Sequence, residues 1–330
     1  MDHIYTSLIA FSLGKGLGTL LSFVLGVIAG LVSAAIIEII ARSTRWVLNK
    51  RPGRLFWKLK DPVNPLYAVS LRDFDPSEYT LYIPTGDALA LAEIDQSLER
   101  LYPKHKIDLY AQPDKPYRSW SQGVILIGGG LSNITTRCLL AALNPPLDAR
   151  DHEEPDFSFK GLKDREGNVI CNHEKGVTFS KNNGTECLNM DWAFVISTLD
   201  PRNQSKKVFI IAGGYTIGTY AAAHWVSQPS NMRWLWWQDC LQRLRDFIEL
   251  RSKSDRADSL QVLLRVSVSP TEPSVTSTVT DADIEVWDQN TECWDRTKRR
   301  KGKPLYFRTP PRYTAAYKYW ADKACSEWLS

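Results

Sequence analysis

The stretch at residues 124–143, VILIGGGLSNITTRCLLAAL, sets the fold class. Its first four residues are an unbroken apolar run, the pattern of a strand buried on both faces of a parallel sheet. Gly128, Gly129 and Gly130 follow at once, and the pattern then becomes helical from Ile134 until Asn144, Pro145 and Pro146 stop it. A second copy of this plan lies at 207–226, where KVFIIA leads into GGYTIGT and a helix predicted from about Gly218 to Val226.

Working outward, short strands are predicted at 67–71 (YAVSL), 79–83 (YTLYI) and 107–110 (IDLY). Between the last two, a Pro84-Thr85-Gly86-Asp87 turn opens a helix over 88–101, with Thr85 or Asp87 available to cap it. Further strands are expected at 193–197 (AFVIS), 260–268 (LQVLLRVSV) and, at an edge, 284–287, and a long helix at 229–251. Apolar strands alternating with helices predict a three-layer, Rossmann-like α/β domain with a mainly parallel sheet. Residues 148–190 are polar and rich in Gly, Asn and Lys, and read either as an inserted excursion with short hairpin strands at 157–159, 169–171 and 177–179 or as a disordered loop.

The amino-terminal part is of another kind. Residues 16–41, GLGTLLSFVLGVIAGLVSAAIIEIIA, are apolar except for Glu38, and as a helix exceed the ~30 Å hydrocarbon core of a bilayer. Small residues recur every fourth position at Gly14, Gly18, Ser22, Gly26, Gly30 and Ala34, and Glu38 continues the spacing. They form one seam on which a second membrane helix can pack closely. The run is longer than a signal-peptide core, and Arg45 and Trp46 stand where a small-residue cleavage site would be. Only Lys15 precedes it, whereas Arg42, Arg45, Lys50, Arg51, Arg54, Lys58 and Lys60 follow. The positive-inside rule therefore places the large domain in the cytoplasm and the amino terminus outside, in a single pass of the inner membrane. The expected organisation is a membrane segment at 1–42, a basic juxtamembrane segment at 43–60 with Trp46, Phe56 and Trp57 in the headgroup layer, the α/β domain at 61–295 and a basic, aromatic tail at 296–330 ending in a short helix.

Of the 330 residues 43% are hydrophobic and 24% charged, and the net charge of +4 is too mild to argue for nucleic acid. The six cysteines form no CxxC pair and have no histidine at ligand spacing, so neither a metal site nor a disulfide framework is expected. Neither glycine turn is a GxGxxG fingerprint or a Walker A loop, and Ser132 is not in a GxSxG elbow.

What the two turns share is equipment for an anion. Glycine lets backbone approach a ligand, the helix start offers N–H groups, and hydroxyls stand beside them. The candidate nucleotide-binding residues are Gly129, Gly130, Ser132 and Asn133 on the first turn, and Gly214, Tyr215, Thr216 and Thr219 on the second. Thr85 and Asp87 form a third turn at a strand end. Asp87, Asp191 and Asp200 are carboxylates that a rim could gather, and His224, within AAAHWV, reads as a core histidine. The same glycines also serve plain tight turns.

The pairing of IGGGLSN with AGGYTIGTYAAA behind a membrane helix resembles bacterial membrane-anchored nucleotide-sensing effectors of anti-phage signalling, of the cyclic-nucleotide and pyrimidine-cyclase types, whose sensors are SLOG-like Rossmannoid domains. The resemblance rests on the two glycine turns and covers roughly residues 79–268 in architecture. It implies a sensor without catalysis or a cofactor of its own. A nucleotide second messenger would bind it, and homo-oligomerisation through Gly18, Ser22, Gly26, Gly30, Ala34 and Glu38 would impair the membrane. The alternatives are an anchored enzyme acting on a nucleotide or sugar nucleotide, and an anchored scaffold.

Overall fold

A computed structural model of the chain describes residues 2–45, 50–59, 66–69, 72–75, 80–104, 106, 108–110, 123–129, 133–143, 162–163, 169–171, 178–182, 185–200, 203–249, 258–268, 284–288, 293–295 and 304–307. The chain divides into two units, 1–51 and 52–330.

The first unit is a helix, α1 (Asp2–Arg45). Its Ser22–Thr44 portion has a mean hydropathy of 2.5 and no buried residue, so it is long and apolar enough to cross a membrane. A Cβ added at Gly26 or Gly30 meets nothing within 4 Å. Glu38 is paired along the helix: Arg42 Nε donates to Glu38 Oε1 at 2.7 Å.

The second unit opens with α2 (Arg51–Trp57). Its sheet is mixed and open, and is built around β1 (Leu66–Val69), β4 (Asp108–Tyr110), β5 (Val124–Ile127), β9 (Thr185–Asp200), β10 (Asn203–Gly213) and β11 (Ser259–Ser267). The strand order is β13-β12-β11-β9-β10-β5-β1-β4, where β12 is Ile284–Asp288 and β13 is Cys293–Asp295; β8 (Thr178–Asn182) pairs with β9 and β14 (Leu305–Phe307) with β11. The parallel part is β4, β1, β5 and β10. From β10 onward every pairing is antiparallel.

This corrects the expectation of a mainly parallel, Rossmann-like sheet. A parallel neighbour requires a crossover of a dozen or more residues, whereas β9 ends at Asp200 and β10 begins at Asn203, too short a link for one. The two strands are therefore a hairpin, with Ile196 opposite Ile210 and Ala193 opposite Gly213. β9 also starts well before the AFVIS run, so the excursion at 148–190 contributes sheet through β8 and the first half of β9. β6 (Leu162–Lys163) and β7 (Val169–Cys171) form a separate two-stranded sheet, as do β2 (Arg72–Asp75) and β3 (Thr80–Tyr82), so YTLYI lies outside the main sheet. The strand expected at 157–159 and the terminal helix expected in the tail lie outside the described residues.

The helices are α3 (Thr85–Leu101), α4 (Ile134–Leu143), α5 (Thr216–Ser227) and α6 (Pro229–Ile248). α3 starts at Thr85 with Pro84 at its cap position and no side-chain cap, so neither Thr85 nor Asp87 caps it. Side chains of α3, α5 and α6 form one core with alternate residues of the sheet, among them Ile125, Ile127, Phe209, Ile211, Val195 and Val262. α2 belongs to this core. Trp57 is fully buried with its ring 4.4 Å from that of Phe209, and Phe56 lies 5.4 Å from the same ring. Phe56 and Trp57, expected in the headgroup layer, are thus core residues, while Trp46 lies outside the described residues; burying rings this large makes them costly to truncate, by about 3–5 kcal/mol.

Candidate functional site

The three turns singled out in the sequence come together at the carboxyl ends of β5 and β10. A Cβ built at Gly129 would stand 3.4 Å from Gly213 O, and one built at Gly86 would run into the backbone carbonyl of Thr216. Gly128 takes φ 101°, a left-handed conformation open to glycine, and its N–H donates to Ile211 O at 3.0 Å, tying the first turn to β10.

At each of the two helix starts, two backbone donors are met from within the protein. On α4, Asn133 Oδ1 accepts from Thr135 N at 3.1 Å and from Thr136 N at 3.2 Å, while Asn133 Nδ2 donates to Ile127 O at 3.2 Å. Asn133 is thus an N-cap, buried to 5% exposure. On α5 the acceptor is the fully buried carboxylate of Asp191. It takes Gly218 N at 2.8 Å, Tyr215 N at 3.1 Å and, from its own strand, Trp192 N at 2.8 Å. The hairpin explains this reach. With Ala193 opposite Gly213, β9 carries Asp191 past the end of β10 and under the turn.

Burial pushes the Asp191 carboxyl up to about 7, against the opposing pull of those three backbone N–H groups. The glycines around it are packing residues. A Cβ at Gly214 would collide with the Trp192 indole nitrogen, and one at Gly218 would collide with Trp192 O and lie 2.6 Å from Asp191 Oδ2. Thr219 is 2% exposed and its Oγ1 accepts from Gly213 N at 3.1 Å.

Among the candidates, then, Asn133, Asp87 and Thr219 are buried, Gly129, Gly214 and Thr216 are half-buried, and Tyr215 and Thr85 are exposed at the rim. Gly130 and Ser132 lie outside the described residues. Of the three carboxylates, Asp191 lies on β9 under the α5 turn and Asp87 in the first turn of α3, whose Gly86 packs on Thr216. Asp200 stands at the other end of β9, roughly 30 Å away at the strand rise. His224 is half-buried between helices, its Nδ1 3.5 Å from Glu93 Oε1 and its Nε2 3.3 Å from Gln228.

A second concentration of chemistry lies at the opposite, amino end of β10, away from both glycine turns. A cleft of about 410 Å³, counting its open mouth, is lined by Lys58 after α2, Ser197 on β9, Lys207 on β10, Asp239 and Arg243 on α6, and Tyr306 on β14. Lys207 Nζ donates to Ser197 Oγ at 3.3 Å. Burial first and the neighbouring Lys58 second bring the Lys207 ammonium down to about 8. Lys58 is lowered too, by burial and then by Arg243. Arg243 Nη2 lies 2.8 Å from Asp239 Oδ2. The only sequence signal was a lysine opening an apolar strand.

Among the described residues no group of three His, Cys, Asp or Glu side chains is placed to hold a metal ion. No known family model, curated protein or solved structure matches this chain.

Proposed function

We propose that the chain is a membrane-anchored sensor whose cytoplasmic α/β domain takes a nucleotide second messenger at the rim where α3, α4 and α5 begin. Binding drives homo-oligomerisation through the small-residue seam of α1 and impairs the inner membrane, as in the anti-phage effectors that its glycine turns resemble. The observation that carries the reading is the convergence of three strand–helix turns, with Gly129 against Gly213 and Gly86 against Thr216. In α/β sheets ligands settle at the carboxyl ends of the strands. The basic excess after α1 supports the cytoplasmic placement.

Asp191 changes how a nucleotide sits there. It already holds the N–H groups of Tyr215 and Gly218, so the α5 turn offers a ring and a hydroxyl, Tyr215 and Thr216, to base and ribose. Phosphates fall to the side of the first turn, Gly129 to Ser132. Titration calorimetry of the full chain in detergent micelles against a panel of cyclic mono- and dinucleotides tests this. One member of the panel binds, and Tyr215→Ala weakens it about tenfold, the value of one base–aromatic stack. Gly214→Asp is unsuitable as a probe, because its side chain breaks the packing on Trp192. Absence of binding by every nucleotide, or unchanged affinity in Tyr215→Ala, refutes the rim.

A further inference from the structure

We propose that the amino-end cleft between α2, α6 and β10 is a separate binding site for a phosphoryl anion, supplied either as a free phosphate compound or as a lipid headgroup. Lys58, Lys207 and Arg243 face two carboxylates, Asp239 and Asp258, across one cleft, an excess of one positive charge. The carboxylates are engaged. Asp239 pairs with Arg243, and Asp258 Oδ1 accepts from Ser259 Oγ at 2.8 Å, which in turn meets Thr198 Oγ1 at 2.9 Å. Lys207 is repelled first by Lys58, and Lys58 by Arg243, against the pull of the two carboxylates, and an anion in the cleft offsets that repulsion. The Tyr306 hydroxyl is buried in the wall without a hydrogen-bond partner among the described residues, so the cleft also holds a donor with no acceptor.

The backbone adds an independent sign. Lys58 closes α2, donating its N–H to Arg54 O at 2.8 Å, and does so at φ 47°. Glycine is the usual residue at that left-handed position, so a lysine there is kept at a local cost. Both lysines are therefore unfavourable to the fold, one through its backbone and the other through its enclosed ammonium. A bound anion gives both a purpose. Ordinary phosphate recognition uses this set: ammonium and guanidinium groups with hydroxyl donors beside them. The lining includes Leu55, Phe56 and Lys58, from the basic segment that follows the membrane helix in the chain, which makes an anionic lipid headgroup a real source alongside a soluble phosphate. The site stands on residues at the opposite end of the sheet from the rim, so it holds or fails independently of the nucleotide proposal.

The test uses the full chain in phosphatidylcholine nanodiscs at constant ionic strength set with sodium chloride. One arm adds inorganic phosphate or pyrophosphate. The other replaces part of the lipid with phosphatidylglycerol and contains no free phosphate. Two quantities are read: the apparent melting temperature and the rate at which Lys207 is acylated at pH 8, by mass spectrometry. An anion beside Lys207 raises its pKa, and a rise of one unit from 8 slows acylation about fivefold. We expect a higher melting temperature and slower Lys207 acylation in at least one arm, and the responding arm names the source. Lys58→Gly and Lys207→Met keep or raise the melting temperature without anion and lose the anion-dependent shift. The site is overturned if neither arm protects wild-type Lys207, or if both variants retain the wild-type shift.

Discussion

At the carboxyl ends of β5 and β10, two donors at each of two helix starts are answered by Asn133 and Asp191, and nearby glycines are packed, Gly214 and Gly218 against Trp192 and Gly86 against Thr216. At the amino end of β10, Lys207, Lys58 and Arg243 stand round a cleft with one unmatched positive charge and a tyrosine hydroxyl lacking a hydrogen-bond partner among the described residues. One end carries the sequence signature of anion binding and meets part of it from within, at Thr135 and Thr136 on α4 and at Tyr215 and Gly218 on α5. The other carries no signature and is electrostatically incomplete. A glycine-rich turn before a helix advertises free N–H groups only if no side chain of the protein reaches them, and that depends on which strand lies next door.

The sharpest break of this comparison is at Gly218. Gly218→Ala puts a methyl group against Trp192 O and Asp191 Oδ2, neither of which can move cheaply. It is expected to cost about 3 kcal/mol. Gly129→Ala, whose Cβ makes ordinary contact with Gly213 O, should cost under about 1 kcal/mol. Denaturant unfolding of the two variants checks this, and equal losses would show that the α5 turn is not packed as described.

A smaller effect is expected at Asp191, and it has a pH signature. Its folded value of about 7 lies above the ordinary 3.8, so the folded protein keeps a proton that the unfolded chain has lost. Stability contributed by that proton is full below pH 4, falls as pH rises through about 7 and is flat beyond. Asp191→Asn cannot accept at both oxygens, and leaving a buried donor unmet costs about 1–3 kcal/mol at pH 5. The deficit should shrink towards pH 8, because only the wild type loses stability on the way. Melting curves of both proteins from pH 4 to 8 measure it. An Asn variant with the wild-type slope would clear Asp191 of the titration.

The smallest effect is at Asn133. Removing the cap by Asn133→Ala should cost about 1 kcal/mol, with no pH dependence, because the amide carries no charge. A slope matching that of Asp191→Asn would show that the two caps are not of different kinds.

The strand–glycine–helix units were legible because an apolar run followed by glycines fits few local structures, and β5, α4, β10 and α5 stand where it put them. The direction of β9 was not, since a strand buried on both faces reads alike whether its neighbour runs parallel or antiparallel. The cue was the short link at 201–202, which admits only a hairpin. Phe56 and Trp57 were read as interfacial because basic residues flank them, yet a helix docked on a core by its aromatic face has the same composition. The cleft was illegible for a further reason: Lys207 and Ser197 meet only once hairpin register is known, with Ser197 opposite Phe209.

The placement of Trp57 against Phe209 has a consequence for synthesis. The two rings are 152 residues apart in the chain. At translation speeds of roughly 5–20 residues per second, about ten to thirty seconds separate their emergence from the ribosome. Throughout that interval α2 carries an unsatisfied aromatic face. The core therefore closes late, and a factor that shields Trp57 until β10 arrives would raise the yield of folded protein without touching its final stability.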